Sequence, residues 1–197
     1  MKGLIITGDK GERLKLKMTP GLWIEGKTYW AQHDFGAFIS EKEVSFEIKR
    51  TNLQSEICLY DIMVTNHSME VKEVKLLMMY SDESKSNDQL AFVSPSEKVI
   101  FHHVDKKLYL INGKTNGNGM ETTTVQPIWT VPAENIWSCE KKGILRYQPL
   151  AKGAVASIFS LNLILQGHET KQGSSWVIYG VDRKKLINLN NALLKTH

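Results

Sequence analysis

The feature that most constrains this chain is the alternation of apolar and polar residues at every second position. In the segment 44–50, Val44, Phe46 and Ile48 alternate with serine, glutamate and lysine. The segment 14–18 alternates leucine and methionine with lysine in the same way. Successive side chains of a β-strand point to opposite faces of its sheet, so this pattern predicts strands with one buried and one solvated face.

Another segment, 57–64, is apolar on both faces except at Asp61. A strand with two apolar faces is typical of the interior of a sheet rather than its edge. The turn-forming residues 65–68 follow, and the segment 74–80 then alternates again. We therefore predict that these two strands form one hairpin.

The C-terminal part of the chain predicts two more strands and the only helix. Segment 155–165 is the longest predicted strand, and residues 176–179 form a last strand after a turn at 171–173. Beyond Asp182, a residue type that favours the position before a helix, leucines recur on one face. We expect this helix to span about 182–196.

These elements predict an all-β fold. About ten to twelve strands exceed what one small barrel holds, and two packed antiparallel sheets bury them economically. We therefore expect a β-sandwich or super-sandwich with one C-terminal α-helix, forming a single domain over residues 1–197. The sequence has no repeat of fixed length, which disfavours a propeller or a solenoid.

Charge and composition exclude several classes of function. The 25 basic and 21 acidic residues alternate along the chain instead of clustering, which disfavours nucleic-acid binding. Apolar stretches are too short to span a membrane, and the N-terminal one is too short for a secretion signal. Cys58 and Cys139 have no metal-binding spacing, so we expect reduced thiols in a soluble, cytoplasmic protein.

Two adjacent histidines, His102 and His103, lie in the segment 99–119, which predicts a hairpin that turns at 105–107. Neighbouring side chains of a strand face opposite ways, so these two cannot ligate one metal ion from a regular ladder. The other histidines lack the spacings typical of metal sites. We predict one exposed histidine and one that is hydrogen-bonded at a sheet face, with no metal and no other cofactor.

The stretch 112–134 contains glycines, prolines and three consecutive threonines, and it predicts a long irregular connection. Connections of that length are commonly functional or flexible, so this one is either an ordered binding loop or a disordered excursion. Trp129 and Trp137 flank Pro132, and we predict that both are partly exposed. Since aromatic faces suit sugar stacking, both are candidate ligand-binding residues, although sandwich cores also contain buried aromatics.

A second candidate site is the aromatic segment YWAQHDFGAF at 29–38. Its His33 and Asp34 stand near Trp30, a combination that suits a sugar-binding or general-base corner. The simpler interpretation, which we favour, is a loop whose aromatic side chains close one end of the sandwich. Trp30, His33 and Asp34 are therefore candidate ligand-binding residues, and no residue is predicted to be catalytic.

Two segments carry a resemblance to a known fold: VTNHSMEVKEVKLLMMYSD at 64–82 and QLAFVSPSEKVIFHHVDKKLYLING at 89–113. They resemble the β-super-sandwich of galactose-mutarotase-like proteins, especially the N-terminal sandwich domains of glucoamylase-type glycoside hydrolases. The matching positions are Asn66, Tyr80, Asp82, Phe92, Pro95, Val99 to His102 and Leu108 to Ile111. The resemblance implies a fold and an ancestral association with carbohydrates. It assigns no mutarotase-type pair of catalytic histidine and glutamate to this chain.

Three functions remain open. The one we favour is a non-enzymatic binding module for a carbohydrate or a protein partner, using the surroundings of Trp129 and Trp137 or of Trp30 and His33. An aldose epimerase would instead need a histidine and a carboxylate that converge in a concave, aromatic-lined cleft. A structural or assembly protein, such as a homo-oligomer that pairs sheet edges, is the third.

Overall fold

Two antiparallel sheets pack face to face in the computed structural model, which describes residues 14–32, 36–82, 87–132 and 135–196. The smaller sheet contains five strands. In spatial order they are β10 (Thr122–Pro127), β14 (Val155–Leu165), β6 (Lys72–Asp82), β1 (Leu16–Ile24) and β2 (Lys27–Trp30).

The larger sheet contains eight strands. In spatial order they are β13 (Leu150–Lys152), β7 (Gln89–Ser94), β8 (Val99–Val104), β9 (Lys107–Thr115), β15 (Thr170–Gly180), β5 (Ile57–Asn66), β4 (Val44–Gln54) and β3 (Gly36–Ile39). A small hairpin of β11 (Trp137–Cys139) and β12 (Ile144–Leu145) and the helix α1 (Arg183–Thr196) complete the regular structure, with short 3₁₀ turns at Ser40–Lys42, Ile128–Thr130 and Glu140–Lys142. The prediction of an all-β sandwich with one C-terminal helix is confirmed.

Each sheet is covered on its outer face as well as packed on its inner face. The helix α1 lies on the larger sheet, where Leu186 and Leu193 join an apolar cluster with Trp176. The residues 135–145, which we call the outer cover, lie on the smaller sheet, where Trp137 joins a cluster with Trp23. The molecule therefore has four layers, with the main core between the two sheets.

The helix begins where the sequence predicted. The backbone N–H of Lys184 donates a hydrogen bond to Asp182 Oδ1 at 2.9 Å, so Asp182 caps the helix. The predicted hairpin at 99–119 is also confirmed, because β8 and β9 pair across a turn at 105–106.

One prediction about strand pairing and one about a turn are wrong. The strands at 57–64 and 74–80 do not form a hairpin, because β5 lies in the larger sheet and β6 in the smaller one. The predicted turn at 171–173 lies inside β15, which starts at Thr170. Gly173 occurs there because the sheets approach closely: a Cβ atom at this position would lie 2.6 Å from Leu76 Cδ2.

The stretch 112–134 is mostly regular, so the prediction of a long irregular connection is wrong. Its first residues complete β9, its three threonines begin β10, and a 3₁₀ turn follows at Ile128–Thr130. Threonine is β-branched and favours strands, which outweighs the glycines nearby. Residues 133–134 lie outside the described residues.

The buried side chain of Asn66 fixes the connection that carries the chain from one sheet to the other. Its Nδ2 donates to Glu70 O at 2.7 Å and to Gln166 O at 3.0 Å, and its Oδ1 accepts from the backbone N–H of Ser68 at 3.1 Å. It therefore joins the β5–β6 connection to the β14–β15 turn.

Replacing Asn66 with alanine should destabilise the fold, because two main-chain carbonyl groups lose their donor and the buried N–H of Ser68 loses its acceptor. We expect Asn66→Ala to lower the free energy of unfolding by about 2–4 kcal/mol. Urea denaturation followed by circular dichroism measures this change. The matched control Asn116→Ala, at an exposed position, should stay within about 0.5 kcal/mol of the parent. Equal effects of the two variants would contradict this role of Asn66.

Candidate functional site

Two large aromatic side chains are exposed beside the end of β10. Trp129 is 64% exposed and Tyr147 is 62% exposed, whereas most aromatic side chains of the chain are buried in one of the clusters between the layers. Trp129 lies in the 3₁₀ turn that follows β10, and Tyr147 lies in the extended segment 146–149 that returns from the outer cover. We call Trp129, Arg146, Tyr147 and Gln148 the β10 edge surface.

The main chain around Trp129 is held by hydrogen bonds. Ile128 N donates to Ala154 O at 2.9 Å, and Thr130 Oγ1 donates to Pro127 O at 2.7 Å. Ile128 also packs in the cluster beneath the outer cover. In this turn Ile128 therefore packs against the apolar cluster, whereas the next residue, Trp129, is exposed to solvent.

The main chain around Tyr147 is attached to the same strand. Val125 N donates to Gln148 O at 3.0 Å, and the side chain of Gln126 donates from Nε2 to Arg146 O at 3.3 Å. Both exposed aromatic residues are therefore carried by backbone that is bound to β10. Support of this kind lowers the conformational entropy that the main chain loses when a ligand binds.

Arg146 and Tyr147 were not among the residues predicted to bind a ligand. The available signal was the short run Arg146 to Pro149. Proline cannot donate to a strand ladder, so its presence indicates an edge segment whose neighbours face solvent.

Trp30 lies on β2, whereas Trp129 follows β10. Trp30 is partly buried and packs on the cluster of Trp23 and Leu77, opposite Gly21, where a Cβ atom would lie 2.7 Å from Trp30 Cε3. Its strand β2 and the strand β10 are the two edges of the five-stranded sheet. Four strand spacings, about 19 Å, separate these two edge strands.

Trp137 is buried, so the prediction that it is partly exposed is wrong. Only 6% of its surface is exposed, because it covers the outer face of the smaller sheet. That face is apolar along β14, where Ala156 and Ile158 lie in the same cluster, and Trp137 shields it from water. His33 and Asp34, the other candidates, lie outside the described residues. The five candidate residues therefore do not form one described site.

The adjacent histidines of β8 face opposite sides, as predicted. His102 is fully buried between the sheets, whereas His103 is partly exposed. His102 Nε2 contacts Gln89 Oε1 at 3.1 Å, and its Nδ1 contacts Ser157 Oγ at 3.0 Å. Gln89 Nε2 in turn donates to Asp82 Oδ2 at 3.4 Å.

This network determines the protonation of His102. The oxygen of Gln89 can only accept, so Nε2 of the neutral imidazole carries the proton and Nδ1 accepts from the Ser157 hydroxyl. Burial lowers the pKa of His102 from 6.5 to about 4. The network therefore joins a histidine to a carboxylate, but inside the core and not in a cleft that a substrate can reach.

No group of three or more histidine, cysteine, aspartate and glutamate residues within the described ranges is arranged to hold a metal ion. Within the same ranges, no helix has both the length and the apolar character needed to cross a bilayer.

The buried neutral His102 should make stability fall in acid. Between about pH 6.5 and pH 4 the unfolded chain binds a proton on this imidazole that the folded chain does not bind, so the free energy of unfolding falls as pH is lowered. The loss should reach about 3 kcal/mol. Urea titrations across this range should show a smaller pH dependence for His102→Gln than for His103→Gln. Equal slopes in the two variants would contradict the assignment.

Comparisons with known proteins show little similarity. No protein-family model and no curated protein matches the chain. Among solved structures, a polysaccharide lyase is similar to 86% of this chain with a TM-score of 0.48 and 8% identity. The chain spans only 26% of the length of that lyase.

Proposed function

We propose that this protein is a non-enzymatic β-sandwich module that binds a carbohydrate at the β10 edge surface. The observation that supports this most directly is the exposure of Trp129 and Tyr147 on one edge of the sandwich. Water-exposed tryptophan is uncommon in a chain that buries most of its aromatic side chains. An exposed pair on rigid backbone is suited to ligand contact.

The chemistry of the surface suits a sugar. Flat aromatic faces pack against the apolar C–H faces of sugar rings, while neighbouring polar groups bond to hydroxyls. Here the exposed guanidinium of Arg146 supplies donors, and the amide of Gln148 supplies a donor and an acceptor.

The size of the surface favours a carbohydrate over a protein partner. Each aromatic side chain has roughly 150–250 Å² of surface, so the exposed fractions of Trp129 and Tyr147 correspond to about 100–150 Å² each. A stable protein interface needs about 800 Å² on each partner. The exposed area of the aromatic pair is large enough to contact a short run of sugar rings, but it is much smaller than a stable protein interface.

We do not propose aldose epimerase activity. That reaction would need a histidine and a carboxylate accessible to substrate, and the described link between His102 and Asp82 lies between the sheets. A cytoplasmic location and homo-oligomer formation stay predictions.

Trp129 should report ligand binding directly. Trp23, Trp137 and Trp176 are buried and Trp30 is partly buried, so a sugar that stacks on the surface should change mainly the fluorescence of Trp129. We expect Trp129→Ala to abolish this change. Tyr147→Ala should weaken binding by roughly three- to tenfold, which corresponds to one aromatic contact. A glycan array identifies the ligand for these titrations.

The matched control is Phe38→Ala, because Phe38 is also an exposed aromatic residue but lies on β3 of the other sheet. It should bind the glycan as the parent does. Unchanged binding by Trp129→Ala would refute the proposed site. If no glycan on the array binds, and a purified protein partner protects Trp129 from iodide quenching, the ligand is a protein and not a carbohydrate.

A further inference from the structure

A thioether and an imidazole are in contact at the end of the sandwich where two connections meet. His168 Nε2 lies 2.8 Å from Met69 Sδ. Met69 belongs to the connection between β5 and β6, and His168 belongs to the turn between β14 and β15. Met69 is 81% exposed, although methionine is an apolar residue that proteins usually bury. The contact is therefore made at the surface, where a dissolved ion can reach both atoms.

Main-chain contacts hold the two connections together. His168 N donates to Ser68 O at 3.1 Å. A Cβ atom at Gly167 would lie 2.5 Å from Met69 O, so the close approach of the two chains requires glycine. The side chain of Asn66 donates to a carbonyl group of each connection. The fold itself therefore places Met69 beside His168, which lowers the cost of bringing two ligands to one ion.

A second imidazole belongs to the same connection as the thioether. Along residues 66–69 buried and exposed residues alternate, so His67 and Met69 are both on the exposed side. Side chains at alternate positions of an extended chain can reach one ion, because they point to the same face.

The ring of His67 is already oriented by one of its nitrogens. Ser45 Oγ lies 2.8 Å from His67 Nε2, and Nδ1 has no hydrogen-bond partner among the described residues. A histidine that binds a metal ion commonly has this arrangement, with one ring nitrogen bonded to the protein and the other facing the ion.

The three side chains offer two imidazole nitrogens and one thioether sulfur. Thioether sulfur is a soft ligand that favours Cu(I), and imidazole also binds copper. Protein sites for Zn²⁺ use thiolate, imidazole or carboxylate, and sites for Ca²⁺ and Mg²⁺ use oxygen. The carboxylate beside His168 is engaged elsewhere, because Glu169 Oε2 accepts from Gln166 N at 2.8 Å and pairs with Lys171 at 3.4 Å. The donors suit a soft monovalent ion.

We propose that His67, Met69 and His168 form a surface binding site for Cu(I). The methionine side chain has three rotatable bonds, so the contact between sulfur and imidazole can open to admit the ion. The spacing of histidines alone does not indicate this site, because one of its three ligands is a methionine.

This site goes beyond the proposed function and is separate from the β10 edge surface. It follows the end of β14 at Leu165, whereas Trp129 follows the end of β10 that pairs with Val155. The two ends of β14 are 11 residues apart along one strand, which corresponds to roughly 30 Å. Binding of a metal ion and binding of a carbohydrate can therefore be tested separately.

A first experiment locates the ion with Ag(I), which has the charge and the filled d-shell of Cu(I) and is stable in air. In protein labelled with ¹³C at the methionine methyl groups, silver nitrate should shift the Met69 signal saturably. Met63 is the matched control, because it is also exposed on β5 but has Gln172 as its cross-strand neighbour. Its signal should stay in place. A Met69 signal that does not move would overturn the site.

A second experiment measures the affinity for Cu(I) without oxygen, by competition with bicinchoninate, whose copper complex is coloured. Met69→Leu, His168→Gln and His67→Gln should each weaken binding at least tenfold, because losing even a partner behind a ligand commonly costs ten- to a hundredfold. The matched controls Met63→Leu and His103→Gln should bind as the parent does. Circular dichroism checks that each variant is folded. Parent-like affinity of Met69→Leu would refute the site.

Thiols also bind Cu(I), so the same titrations are made with Cys139→Ser, which removes a half-buried thiol. This variant should bind Cu(I) at Met69 as the parent does. If Cys139→Ser loses the ion and Met69→Leu keeps it, the thiol is the ligand and the proposed site is wrong. If Zn²⁺ binds these residues more tightly than Cu(I), the assignment to a soft ion is wrong. Neither result changes the carbohydrate proposal, which Trp129→Ala tests.

Discussion

The rest of the structure depends on one constraint: the central strands of both sheets are apolar on both faces. In β15, Val177 faces the core between the sheets while Trp176 and Ile178 face outward. In β14, Phe159 faces the core while Ile158 faces outward. A two-layer sandwich would leave these outer faces in water at a cost of about 25 cal/mol for each Å² of apolar surface. The helix and the outer cover remove that cost.

The outer cover also explains why the aromatic surface occurs at the edge of β10. The chain must leave β10, cross the outer face of the sheet and return beside the same strand. On the way out it packs Ile128 against the apolar cluster and exposes Trp129, and on the way back it buries Leu145 and exposes Tyr147. The two exposed aromatic residues thus flank the points where the cover is attached, where hydrogen bonds to β10 keep the backbone rigid.

Features that depend on residues close together in the sequence could be predicted from local patterns. Alternation located the strands at 44–50 and 155–165, Asp182 located the start of the helix, and the pleat separated His102 from His103. Contacts distant in sequence decided the rest. Which sheet holds β6, why Gly173 lies within a strand and why Trp137 is buried all depend on a facing layer that a periodic pattern does not identify. Trp129 could be named as a candidate ligand-binding residue from its local sequence. Its position beside Tyr147 could not be predicted, because it depends on contacts between residues distant in sequence.

Polar contacts in the core connect these layers to the edge. Ser157 of the smaller sheet bonds to His102 of the larger one, and Tyr80 OH donates to Ser175 Oγ at 2.6 Å across the same interface. Apolar packing alone allows two sheets to slide, whereas buried hydrogen bonds require one alignment. That alignment also fixes β10 relative to β13, the strand that Tyr147 leads into. The hydrogen bonds inside the sandwich therefore help to align the two sheets whose edge strands carry the exposed surface.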